Sequence, residues 1–229
     1  LRDAMLQVSG ELNLKMGGLP IRPEINREVA LQPRHIMGSI APAYQPSPSL
    51  EERHRRSIYA YQLRGLPNPM LEVFNKPNAD ITCEGRIEST VTPQAFTLFN
   101  SQNTYDRALA MALRLKEEEK SLEAQMSRAM WLAWNRKPTE KEIEKSVAHA
   151  EKMLDYHLEN EPVAQEYPVM VKRTMFEEMT GEEFSYTEKL DIYENYDADT
   201  KAWEVDAPTR ALADLCLVLY NSNEFIYIY

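Results

Sequence analysis

Residues 208–220 read Pro-Thr-Arg-Ala-Leu-Ala-Asp-Leu-Cys-Leu-Val-Leu-Tyr. Leu212, Leu215, Cys216 and Leu219 recur at helical spacing, with Ala211 and Val218 beside the stripe. Pro208 suits a first helical turn, where its missing N–H is no loss. A helix this apolar on most sides belongs inside other structure. It is not a membrane span, since Leu212–Tyr220 contains Asp214 and falls far short of the roughly 20 residues a bilayer crossing needs. The expectation is a mainly α fold with a few short β-strands, packed around this buried C-terminal helix.

Upstream, further helices stand ready to enclose it. Thr139-x-x-Glu142 is a capping box opening a helix with Ile143, Val147, Ala150, Leu154 and Leu158 inward. Glu119–Asn135 carries Leu122, Met126, Ala129, Met130 and Ala133 on one face, and Tyr105–Arg114 is a third helix. Thr92 as N-cap and Pro93 at the first helical position open a short helix over Pro93–Phe99. A leading helix follows from Leu1, Met5, Val8 and Leu12, stopped by Gly17-Gly18-Leu19-Pro20.

The remaining stretches read as connections and strands. Prolines at 20, 23, 33, 42, 46 and 48 mark a connector with one helical turn at Glu24–Leu31. Tyr59, Tyr61 and Leu63 alternate with Ile58, Ala60 and Gln62, which suits a strand within Arg53–Arg64. Met70–Phe74 is a helical turn, and Asn75–Glu84 a turn-rich loop carrying Cys83. Val169–Thr174 and Phe184–Leu190 flank Thr180-Gly181 with β character, although helical turns fit equally, and Phe225–Tyr229 reads as a terminal strand. One domain is expected over 1–229: leading helix 1–18, connector 19–52, strand, loop and helices 53–159, acidic aromatic segment 160–207, then core helix and strand 208–229.

The net charge is −10, from 36 acidic and 26 basic side chains. Residues 177–206 hold eleven Asp and Glu against Lys189 and Lys201. With no basic stripe to compensate, nucleic acid is not an expected partner. No signal-peptide pattern opens the sequence, and the start at Leu1 reads as a piece of a longer protein.

Most catalytic and cofactor patterns are missing. Cys83 and Cys216 lie in no C-x-x-C motif, so they read as two buried thiols or, in an oxidising compartment, as a long-range disulfide. His149 and His157 are two helical turns apart, about 12 Å by rise and too far to share an ion. With His35 and His54 they read as surface histidines. No H-E-x-x-H, G-x-S-x-G, G-x-G-x-x-G or Walker loop occurs. Asp191, Glu194, Asp197 and Asp199 are clustered oxygen ligands of the kind calcium takes, and Asp197-x-Asp199 begins like an EF-hand loop. Lys201 occupies the third ligand slot and the required glycine is missing, so a solvated acidic face is expected and no metal.

Carboxylates remain. Glu72, Asp80 and Glu84 near Arg86 are the candidates for hydrolysis, which needs two carboxyls with proton affinities pushed apart. The competing reading makes Arg56, Glu72 and Arg86 a buried or semi-buried ion-pair network that pins loops to the helical core. Asn100, Asn221, Asn223 and Glu224 join it as structural polar residues, the last three behind a helix end whose carbonyls need partners. Phe184, Tyr186, Tyr193, Tyr196 and Trp203 should clamp the acidic segment onto its own domain, with Arg53, Arg55 and Arg56 as a counter-surface. Its carboxylates would then face solvent or a protein or glycan partner.

Several separated stretches carry a family resemblance: Leu1-Arg2-Asp3-Ala4 through Asn13-Leu14-Lys15-Met16-Gly17-Gly18, Arg55-Arg56-Ser57-Ile58-Tyr59, Asn68-Pro69-Met70-Leu71-Glu72-Val73-Phe74, Thr92-Pro93-Gln94-Ala95 with Asn100, and Leu212-Ala213-Asp214-Leu215-Cys216 running into Asn221-Ser222-Asn223-Glu224-Phe225. Together they resemble planctomycete-specific domain one, a domain of unknown function. The resemblance implies an exported protein whose upstream domains carry cytochrome c modules, with any haem bound there and no cofactor in this region. It transfers no catalytic residue.

Overall fold

A computed structural model describes residues 1–36, 38–77, 79, 82–85 and 91–227. In chain order the elements are α1 (Arg2–Ser9), α2 (Arg27–Leu31), β1 (His35–Ile36), β2 (Ser39–Ile40), α3 (Leu50–Arg53), α4 (Pro69–Val73), α5 (Thr92–Asn100), α6 (Gln102–Glu118), α7 (Leu122–Trp134), α8 (Glu140–Glu159), β3 (Met170–Phe176), β4 (Glu183–Lys189), α9 (Ala207–Tyr220) and α10 (Asn223–Ile226). Short 3₁₀ turns cover Ser57–Tyr59, Asp191–Asn195 and Ala202–Glu204. The chain is mainly α, with two small antiparallel sheets, β1–β2 and β3–β4. It gathers into two compact units, Leu1–Leu14 with Ser89–Ala164 and Asp199–Tyr229, and Lys15–Glu88 with Gln165–Ala198. The acidic segment 160–207, read as one piece, is therefore divided at Ala164/Gln165 and at Ala198/Asp199.

In the first unit α9 is the central helix, packed against α6 and α8. Leu212, Leu215, Cys216, Leu219 and Tyr220 are buried on it, facing a core to which α6 gives Leu109, Met111 and Leu115 and α7 gives Met126 and Met130. Asp206 caps its start, accepting from the Thr209 N–H at 3.0 Å. The Thr139–Glu142 capping box forms as expected: the Thr139 N–H donates to Glu142 at 2.7 Å, and the Glu142 N–H donates to the Thr139 hydroxyl. At the other end of the chain, α1 is shorter than its apolar stripe implies. It stops at Gly10, φ 84°, whose left-handed conformation leaves the last carbonyls open to Arg114 of α6, donating to Val8 at 2.8 Å.

Three local expectations are corrected. Thr92 is the first residue of α5 rather than its N-cap, which is Val91. No strand runs through Arg53–Arg64. That stretch ends α3, makes a 3₁₀ turn at Ser57–Tyr59, and forms one isolated parallel bridge between Ile21 and Ala60. Alternation alone did not supply a partner strand, and a lone extended segment leaves its backbone donors and acceptors unpaired. Nor does Phe225 open a strand. Asn223–Ile226 is a helical turn, and Tyr227 is the last described residue.

The second unit is richer in loops. The turn at Glu24–Leu31 forms as α2, and the turn expected at Met70–Phe74 forms as α4 over Pro69–Val73, where Asn68 caps the Leu71 N–H at 3.1 Å. The β character of 169–190 resolves as a hairpin, with Arg173 opposite Tyr186 and Met175 opposite Phe184. Its Gly181 takes φ 72°, which the tight turn requires.

Candidate functional site

The hydrolytic candidates come first. Glu72 sits on α4 and is exposed, as is Glu84. Asp80 and Arg86 lie outside the described residues. Arg56 is also exposed, so it and Glu72 are not members of a buried network. Asn100 closes α5 with its side chain in solvent.

Buried charge is concentrated elsewhere. In the first unit Lys201, 2% exposed, donates to Asp106, 3% exposed, at 2.7 Å. Gln102 donates to the other Asp106 oxygen at 2.8 Å. One position along α6, Arg107 closes on Glu11 at 2.7 Å and on Asp199. Its backbone carbonyl accepts from the buried Tyr220 hydroxyl at 3.1 Å. Burial pushes the Asp106 carboxyl up to about 6 even though the Lys201 ammonium pulls the other way. Burial likewise brings the Arg2 guanidinium down to about 10. Sequence reading missed this cluster, although Asp106 and Arg107 interrupt an apolar helix and Lys201 is one of only two cations in the acidic stretch.

The second unit uses arginine differently. Buried Arg55 donates to the carbonyls of Lys15, Gly17 and Leu19 and lies 3.9 Å from the centre of the Tyr59 ring. Arg53 donates to Ser47, Pro48 and Asp197, with the Tyr196 ring 4.4 Å away. Arg173 on β3 takes the carbonyls of Leu31, Gln32 and Ala41 and the Glu188 carboxylate. Each planar fork thus bonds several loop carbonyls at once and ties the loops that carry them. Arg53, expected as a counter-surface for the acidic segment, meets that segment at the Asp197 carbonyl and the Tyr196 ring. Tyr196 is half-buried against Tyr167 and Tyr193, and its hydroxyl donates to Glu24 at 2.8 Å. Trp203, in the first unit, is also half-buried.

The other singled-out residues have structural surroundings. Glu224 binds Arg136 at 2.7 Å, which also holds Glu142 and lies over Trp134. The Asn221 side chain donates to the Leu217 carbonyl at 2.8 Å, closing the end of α9 at φ −92°. Asn223 is exposed at the start of α10. Cys83 and Cys216 are free thiols, so the disulfide is not formed. Cys216 is buried, but Cys83 is exposed, against the expectation of two buried thiols. Two histidines are likewise not on the surface. His54 is buried, and so is His157, with Nε2 2.7 Å from Asp214. Asp191 and Glu194 both close on Lys189, at 2.7 and 2.8 Å, which accounts for two members of the calcium-like run.

No curated protein and no solved structure matches the chain. A family model does, over residues 1–150, which is more than half of the sequence. The chain therefore belongs to the PSD1 family of proteins of unknown function (DUF1553).

Proposed function

We propose that this chain is a non-catalytic structural and docking module at the C-terminal end of a larger exported, cytochrome-c-linked polypeptide, with the upstream domains as its partners. One observation carries the reading. The deeply buried ionisable groups are engaged internally, Asp106 by Lys201 and Gln102, Arg107 by Glu11 and Asp199, and Arg53, Arg55 and Arg173 by backbone carbonyls. Asp106 has the raised proton affinity of a catalytic acid, yet both its oxygens are taken and it is 3% exposed. Export and the cytochrome link rest on the family resemblance.

The test uses the whole polypeptide, with and without this region, against a panel of glycans and in trans binding to its own upstream part. The expected result is unchanged glycan turnover and measurable binding of the separated region to the upstream part. Turnover that disappears with the region, and falls on Glu72→Gln or Glu84→Gln, would establish the hydrolytic alternative instead.

A further inference from the structure

Three aliphatic side chains of the second unit, Met16, Leu19 and Ile58, are 80%, 84% and 78% exposed. The backbone beneath them is firmly held. Gly17 and Gly18 take φ 76° and 84°, turning the chain so that Arg55 reaches the carbonyls of Lys15, Gly17 and Leu19. The Gly17 N–H donates to the Tyr59 hydroxyl at 2.8 Å, and the Ile21–Ala60 bridge ties the two stretches side by side. Large apolar groups on an ordered frame can be desolvated by an occupant with little further loss of chain entropy.

The charge of the same two stretches runs against the rest of the molecule. Residues 15–23 and 53–71 contain Lys15, Arg22, Arg53, Arg55, Arg56 and Arg64 and no Asp or Glu, in a chain of net charge −10. Arg53 and Arg55 are buried in their clamps, while Lys15, Arg22, Arg56 and Arg64 are exposed. The acids next in sequence are Glu24, bonded to the Tyr196 hydroxyl, Glu51 and Glu52 on α3, and Glu72 on α4.

We propose that this surface binds an anionic lipid bilayer peripherally, with Met16, Leu19 and Ile58 entering the boundary between headgroups and acyl chains and the exposed cations meeting lipid phosphates. Protruding aliphatic tips suit an occupant that yields to them without a shaped pocket, and flanking cations select one that is negative. No helix among the described residues is long and apolar enough to cross a membrane, so the contact is with the surface. This proposal is independent of the docking role above, which survives if lipid binding fails.

Co-sedimentation of the whole chain with vesicles tests it. Binding is expected to vesicles of phosphatidylcholine mixed with phosphatidylglycerol, and not to phosphatidylcholine alone. The triple variant Met16→Ser/Leu19→Ser/Ile58→Ser and the double variant Arg22→Glu/Arg56→Glu should each weaken it about tenfold or more at an unchanged Tm. No binding to the anionic vesicles at low salt overturns the proposal, as does binding that neither variant weakens. Capture of polyglutamate through the same residues, with the vesicles ignored, would make an acidic protein the occupant and overturn it as well.

Discussion

Arg55 shows how much one side chain can organise where few apolar residues are available. Its guanidinium closes a loop containing two glycines and stacks on Tyr59, a geometry that depends on a flat group with donors in a fixed fork. Lysine keeps the charge but is a point donor. Arg55→Lys should therefore remove several of these charge-assisted bonds and lower stability by roughly 1–3 kcal/mol, measured by urea unfolding. Arg107 is a harsher case, since Arg107→Met removes a buried cation that Asp199 and Glu11 both contact. The expected loss is roughly 3–5 kcal/mol, and a variant as stable as the parent would disprove the pairing. The two thiols differ by position alone. Exposed Cys83 should react with a thiol reagent in the native protein, whereas Cys216, its proton affinity raised by burial, should react only on unfolding.

Among the elements, the junction of α7, α8 and α10 depends on Arg136. It bridges Glu142 at the start of α8 to Glu224 on α10, while Trp134 donates to Ser222 at 2.7 Å. Glu142 thus serves both the capping box and the ion pair, and bonds from Arg136 and the Thr139 N–H hold its carboxyl down at about 2. The end of α9 discriminates between two asparagines. Asn221→Ala removes a bond to the last turn and should cost about 1 kcal/mol, while exposed Asn223→Ala should stay within about 0.5 kcal/mol of the parent. Thermal melts of the two variants compare them directly, and equal losses would contradict the assignment.

For the molecule as a whole, stability should peak in mildly acidic solution. Asp106 has a folded-state value of about 6, above its ordinary 3.8, so its contribution is full below about 3.8 and is lost as pH rises through about 6. Glu142 is shifted the other way, from 4.5 to about 2, so its contribution is present above about 4.5 and is lost as pH falls through about 2. Denaturant midpoints measured across pH should therefore decline from about pH 4–5 towards 7. A tenfold change in proton affinity corresponds to about 1.4 kcal/mol, so the decline due to Asp106 is at most a few kcal/mol. Asp106→Asn should flatten that limb, and an unchanged slope would show that another group causes it.

The helices were legible because their signals are local. Apolar spacing over 208–220, the Thr139–Glu142 box and the proline at 208 each act within a few turns, and all three gave the elements they imply. The family was legible too, since its motifs are short runs of sequence. The charged core was not. Asp106 and Lys201 are far apart in the chain, and 36 acidic and 26 basic residues offer too many pairings for composition to choose among them. Arg53–Arg64 shows the same limit, because its alternation needed a neighbouring strand that the chain does not bring to it. Periodicity and capping are settled by neighbours in sequence. Which charge is desolvated, and against which partner, is decided only when distant segments close on one another and exclude water.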